Sequence, residues 1–278
     1  MCRLIGWAVD QPSTLVDLVG SGSFEVLRDV SAFHADGWGA AYAREADSSG
    51  PPRLEVYRST ARAGSDAEFC SVATTVAARA GLIHLRRATD GFVVREENTH
   101  PFVVDGWAFA HNGGIPRSER LDALTSSRSR DRRRGDTDSE RYFLVLLERV
   151  EACGSLLEGI RAAIADVREV CGTASMNAVL LGPNVMAVIH ASRGASPPLS
   201  ELIETAGGTS GRLPRGHCDR YYDLVYRPLG TGVIVSSTGM PDDTWRDLPH
   251  ESVLIADVAA ATFEVHPVAG ALAESAAG

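Results

Sequence analysis

The hydrophobic positions fall mostly into short runs bounded by turn residues, the signature of strands, broken by a few longer stretches with helical spacing. The first run, Leu4–Val9, is almost uniformly apolar. Strand-like runs follow at Gly37–Ala43, Arg53–Arg58, Gly81–Arg87 and Gly106–His111, and later at Met176–Leu181, Val185–Ala191, Gly232–Ser236, Ser252–Asp257 and Thr262–Val265. Three helices are predicted from start signals. Ser65 with Glu68 forms a capping-box pattern ahead of Asp66–Arg79, Thr137 with Glu140 one ahead of Ser139–Val150, and Ser155 with Glu158 one ahead of Leu156–Val167. Asp47–Pro52, Ser126–Arg134, Ser192–Pro198 and Gly207–Gly216 carry loop chemistry, and the end from Gly270 reads as a frayed tail. Strands outnumber helices and the two do not alternate, which predicts a layered α+β fold. No linker divides the chain, so one domain over 1–278 is expected.

Composition narrows the class. With 278 residues, 44% hydrophobic and 23% charged, the chain has enough material for a sizeable core. A formal net charge of −9 argues against a general nucleic-acid binder. The one basic run, Arg128, Arg130 and Arg132 to Arg134, reads as a solvated loop. Five cysteines without CxxC spacing speak against a disulfide framework or structural zinc and fit a reducing cytoplasm. No apolar run reaches the roughly 18 residues of a spanning helix, and no secretory leader pattern precedes Leu4, so no membrane association is expected.

Several short motifs could carry chemistry. Cys2 directly follows Met1. Once the methionine is removed, thiol and α-amine sit on one carbon. The amine's ordinary pKa of about 7.7–8.0 suits a base, which makes a nucleophile–base pair without histidine. Position alone does not separate this from an incidental cysteine. In His84–Gly91, period two sets His84 and Arg86 opposite Ile83, Leu85 and Arg87. Arg86 is then either an edge-strand arginine or a bidentate grip for a carboxylate. His111-Asn112-Gly113-Gly114 is an ordinary turn sequence that also suits an oxyanion hole, an Asn amide beside a Gly N–H. Asp138 either complements a helix N-terminus or accepts from a substrate ammonium. His34, His84, His100 and His111 read as scaffold.

The order of the motifs is more informative than any one of them. Met-Cys, DGWG (36–39), HxRxAT (84–89), NTHPF (98–102), AHNG (110–113) and GDTDSE (135–140) together resemble the glutaminase domain of class II glutamine amidotransferases. That class includes glucosamine-6-phosphate synthase and glutamine phosphoribosylpyrophosphate amidotransferase. The resemblance implies a four-layer αββα N-terminal nucleophile hydrolase fold, two antiparallel sheets between helical layers, with no cofactor or metal. It implies Cys2 as nucleophile with its own amine as base, and Asn112 and Gly113 as the oxyanion hole. Arg86 would hold the glutamine α-carboxylate and Asp138 the α-ammonium, with Thr89 and Asp90 in the pocket wall. Arg87 and Asp90 depart from the Trp and His usual in the sugar-phosphate enzymes. The chain ends near the size of the glutaminase unit, without a synthase domain. It is most similar to stand-alone YafJ-type proteins and to the ergothioneine-pathway γ-glutamyl hydrolase. The expected activity is hydrolysis of glutamine or a γ-glutamyl amide. The alternatives are an ammonia-supplying subunit with a synthase partner chain, or a catalytically silent interaction protein.

Overall fold

The computed structural model describes residues 3–44, 53–88, 91–214, 216–237 and 243–269. The strands are β1 (Arg3–Ser13), β2 (Trp38–Arg44), β3 (Arg53–Ser59), β4 (Ala78–Leu85), β5 (Phe102–Val104), β6 (Trp107–Asn112), β7 (Asn177–Leu181), β8 (Val185–His190), β9 (Leu224–Pro228), β10 (Gly232–Ser237), β11 (Arg246–Asp247), β12 (Ser252–Asp257) and β13 (Thr262–Pro267). The helices are α1 (Leu15–Val19), α2 (Ser21–Val30), α3 (Ala67–Thr75), α4 (Ser127–Arg130), α5 (Asp138–Cys153), α6 (Leu156–Cys171) and α7 (Leu199–Thr205). One antiparallel sheet runs β11-β9-β10-β1-β4-β2-β3 and the other β13-β12-β8-β7-β6-β5.

The sheets face each other. Leu4, Ala8, Leu82 and Val235 of the first sheet meet Val179, Leu181, Val188 and Leu254 of the second in one buried cluster. On the far side of β1, Ile5, Trp7 and Val9 pack against Leu15, Phe24, Leu27 and Phe69 from α1, α2 and α3. On the far side of the second sheet, Phe109, Leu180 and Ile189 pack against Tyr142, Phe143, Ile160 and Val167 of α5 and α6. The layers are thus αββα. A strand covered on both faces needs apolar side chains at every position, which is why Leu4–Val9 shows no alternation.

Local departures from the sequence expectations have local causes. Helix α3 ends at Thr75 instead of Arg79, because 78–85 is taken into the first sheet between β1 and β2. Its cap is Asp66, which accepts from Glu68 N at 2.9 Å, and not Ser65. Helices α5 and α6 extend beyond Val150 and Val167 to Cys153 and Cys171. At α5, Thr137 does accept from Glu140 N (3.2 Å), but the Glu140 carboxylate accepts from Arg134 N and Gly135 N, so it braces the preceding loop. Burial raises the Glu140 carboxyl above the usual range. The basic run is not simply solvated: it includes α4, Arg132 pairs with Asp105 and Arg133 with Asp122. Helices α1, α2 and α7 and strands β5, β9 and β11 carried no recognised sequence signal. The predicted turn 47–52 and the tail from Gly270 lie outside the described residues. Among the described residues no helix is long and apolar enough to cross a membrane.

Candidate active site

Three sheet ends converge. At the start of β1, Arg3 is paired with Leu85 of β4, and Leu4 N donates to Ser237 Oγ of β10 at 3.0 Å. Asn112 Nδ2, at the end of β6, reaches the same Ser237 Oγ at 3.5 Å. Asn112 is fully buried and its Oδ1 has no hydrogen-bond partner. The chain therefore enters the first sheet beside the end of β4, which continues into Arg86, and beside Asn112 on the opposing sheet. Cys2, Thr89 and Asp90 themselves lie outside the described residues.

Gly113 is required by space. A Cβ there would overlap the Ser175 carbonyl oxygen and sit 2.5 Å from His111 Nε2. Those two groups are hydrogen-bonded to each other at 2.7 Å. A carbonyl only accepts, so His111 carries its proton on Nε2, and Nδ1 accepts from Ser139 Oγ at 2.9 Å. Ser175 Oγ also donates to Asn112 O at 3.1 Å. Residues 111–113 are thus held from below by Ser139 and Ser175, neither of which sequence reasoning singled out. No signal beyond their neighbourhood could have found them.

Arg86 is buried, with Nη1 donating to Asp36 O (3.2 Å) and Nη2 to Val93 O (3.5 Å). These carbonyls orient the guanidinium without cancelling its charge. Asp36 also takes Ala88 N on its carboxylate at 2.8 Å, so the DGWG turn shapes the segment that follows β4. Asp138 Oδ2 accepts from Ile115 N and Oδ1 from Ser139 N, each at 2.8 Å, which ties the start of α5 to the loop bearing Gly113. Arg86, Gly113 and Asp138 line one narrow pocket, with Phe92, Asn98 and Thr137. Ala88, Phe92 and Asp138 also border a wider cavity of ≈ 330 Å³.

The histidines sit behind this pocket. His84 Nε2 donates to His111 O at 3.2 Å, and its ring stacks at 4.1 Å on His100. Burial pushes His84 down to about 3, and lowers His100 and His111 as well. All three are neutral at pH 7 and hold no proton to donate as an acid there. His34 Nε2 lies 3.2 Å from His217, which in turn contacts the Arg3 guanidinium at 2.8 Å. Gly39 explains why DGWG and NTHPF occur together. A Cβ at Gly39 would overlap His100 O and lie 2.9 Å from Pro101 Cδ, so the two motifs interlock through bare backbone.

The family model described as "Glutamine amidotransferases class-II" matches residues 1–260. Among curated proteins, gamma-glutamyl-hercynylcysteine sulfoxide hydrolase of Mycobacterium tuberculosis is 34% identical over 125 residues, 42% of this chain and 51% of that protein. The probable glutamine amidotransferase DUG3 of Saccharomyces cerevisiae is 25% identical over 171 residues, 55% of this chain and 47% of its own length. The chain thus spans about half the length of the curated relatives it matches. Among solved structures, a glutamine aminotransferase class-II domain protein from Silicibacter pomeroyi aligns with a TM-score of 0.61 at 20% identity, covering 96% of this chain and 99% of that one. Glutamine phosphoribosylpyrophosphate amidotransferase from B. subtilis aligns at 0.60 and 14% identity, covering 96% and 49%. These two likenesses establish the fold, two antiparallel sheets between helices.

Proposed function

The chain belongs to the class II glutamine amidotransferases, and from that premise we propose that it hydrolyses the γ-amide of glutamine or of a γ-glutamyl compound through Cys2. The observation that carries this reading is the single pocket walled by buried Arg86, Gly113 and Asp138. A γ-glutamyl group bears an α-carboxylate and an α-ammonium, and such a pocket offers one cation and one anion. In this reading the Cys2 thiolate attacks the δ-carbonyl carbon, and its proton goes to the residue's own α-amine. Asn112 Nδ2 and Gly113 N donate to the oxygen that becomes negative. The amine leaves with that proton, a γ-glutamyl thioester remains, and water releases glutamate. Thr89 and Asp90 complete the pocket wall. The proposal includes one domain working in the cytoplasm on a small molecule, without a cofactor, nucleic acid or membrane. It requires no synthase partner chain.

The test combines chemistry with processing. A glutamine analogue with an electrophilic side chain, diazo-oxo-norleucine, should add once to the Cys2 peptide by mass spectrometry. Cys2→Ala should fold and lose γ-glutamyl hydrolysis, and protein that retains Met1 should be inactive. Wild-type turnover by Cys2→Ala ends the proposal; full activity with Met1 retained shows that another base operates. Ammonia release that requires a second chain would favour the subunit reading.

A further inference from the structure

Away from this pocket, three side chains converge that the proposed hydrolysis does not use: His190 at the end of β8, Asp223 just before β9, and His250 in the turn before β12. One ligand atom from each lies within 4.8 Å of the others.

His190 is fully buried. Its Nδ1 faces two backbone carbonyls, Leu248 O at 3.0 Å and Pro249 O at 3.1 Å. Carbonyls only accept, so Nδ1 must carry the proton and Nε2 must present a bare lone pair. That Nε2 is buried and has no hydrogen-bond partner. A backbone carbonyl on one ring nitrogen, with the lone pair of the other left over, is how proteins orient a metal-binding imidazole. Burial also lowers the pKa of His190, which favours the neutral, ligating form.

Asp223 is similarly divided. Its Oδ2 accepts from Arg220 Nε at 2.8 Å, and its Oδ1 points toward His250 Nε2 at 3.5 Å. A charge-assisted hydrogen bond is shorter, about 2.7–2.9 Å. The edge of a tetrahedron around a metal with bonds of about 2.0–2.2 Å is roughly 3.3–3.5 Å. The separation matches two ligands of one ion better than a direct bond. His190 and His250 rings lie 4.4 Å apart, inclined at 40°, so their edges can meet at one point. Asp223 and His250 also line a cavity of ≈ 410 Å³, where a water or a small ligand can take a fourth position.

We propose that His190 Nε2, Asp223 Oδ1 and His250 Nε2 form a binding site for a divalent transition metal of the zinc class. Two imidazoles and one carboxylate with a position left open is a donor set for Zn²⁺ and its neighbours, not for Ca²⁺ or Mg²⁺. Such an ion would clip three separate segments together: the end of β8, the approach to β9 and the turn before β12. Tyr222, adjacent to Asp223, borders both this cavity and the one that Asp138 lines, so the clip would also steady a wall near the proposed substrate pocket. The metal-free expectation drawn from the sequence resemblance would then not hold for the whole chain.

The experiment titrates Co²⁺ into chelator-treated full-length protein whose accessible thiols are alkylated, so that Cys2 cannot compete. One equivalent should bind with visible d–d bands and no thiolate charge-transfer band. Binding should weaken at least ten-fold in His250→Ala, whose exposed side chain makes a folding defect improbable and checkable by circular dichroism. Asp223→Asn should weaken it likewise, and His266→Ala should leave it unchanged. Absence of saturable uptake into the millimolar range, or equal uptake by His250→Ala, would overturn the site.

Discussion

Asp138→Asn separates the two roles open to this residue, and the structure sets its cost. Both carboxylate oxygens accept backbone N–H groups, from Ile115 and from Ser139, each at 2.8 Å. Asparagine has one acceptor oxygen, so its NH₂ must face one of these donors. Leaving a buried N–H without its acceptor costs about 1–3 kcal/mol. At roughly 2–4 °C per kcal/mol for a chain near this size, the melting temperature should fall by about 2–12 °C. The lost Ile115 contact also frees the loop that carries Gly113. If the carboxylate additionally meets a substrate ammonium, kcat/KM on a γ-glutamyl substrate should fall by roughly one to two powers of ten, from a charged contact of about 1.5–3 kcal/mol. Thermal melts and kinetics at a temperature where both proteins are fully folded read the two effects separately. Wild-type melting would refute the hydrogen-bond accounting. Early melting with undiminished kcat/KM would show that Asp138 serves the loop and helix alone.

Three further outcomes are expected. Arg86→Lys should lose at least ten-fold in kcat/KM, since an ammonium cannot reproduce the paired donors that also reach Asp36 O and Val93 O; near-wild-type kinetics would remove Arg86 from carboxylate binding. Gly39→Ala should destabilise by about 1–3 kcal/mol in urea unfolding, because the obstruction is the His100 backbone and cannot swing aside; an unchanged midpoint would contradict the interlock. Stability should fall as pH drops below 6.5. Buried His84 stays neutral in the native state down to about 3, while in the unfolded chain it takes up a proton near 6.5. The unfolded state then binds more protons, at about 1.4 kcal/mol per pH unit for this histidine. His100, His111 and His190, all lowered by burial, act in the same sense, and Glu140, raised by burial, acts in the opposite sense. Urea unfolding at pH 7, 6 and 5 measures the slope, and a flat profile would show that these imidazoles are solvated.

Much of the molecule was legible from residues alone because the signals are local. Strands such as β1 and β12 announce themselves through apolar runs, and α5 and α6 through caps at Thr137 and Ser155 followed by helical spacing. The ordered motifs likewise pointed to Arg86, Gly113 and Asp138 as members of one site, and those three do border one pocket. What stayed hidden depends on distant partners. β9 and β11 are strands chiefly because β10 offers them an edge, and a two-residue strand carries no period to read. Ser139 and Ser175 gain meaning only once folding brings them to the two nitrogens of His111. The neutrality of the buried imidazoles is set by desolvation, which no sequence spacing encodes. His190, Asp223 and His250 are far apart along the chain and share no motif; only the pairing of β8 with β12, and the turn that precedes β12, brings them within reach of one another. Local chemistry is written in the order of residues, whereas the placement of a lone pair opposite a distant carboxylate is decided by how the sheets pack.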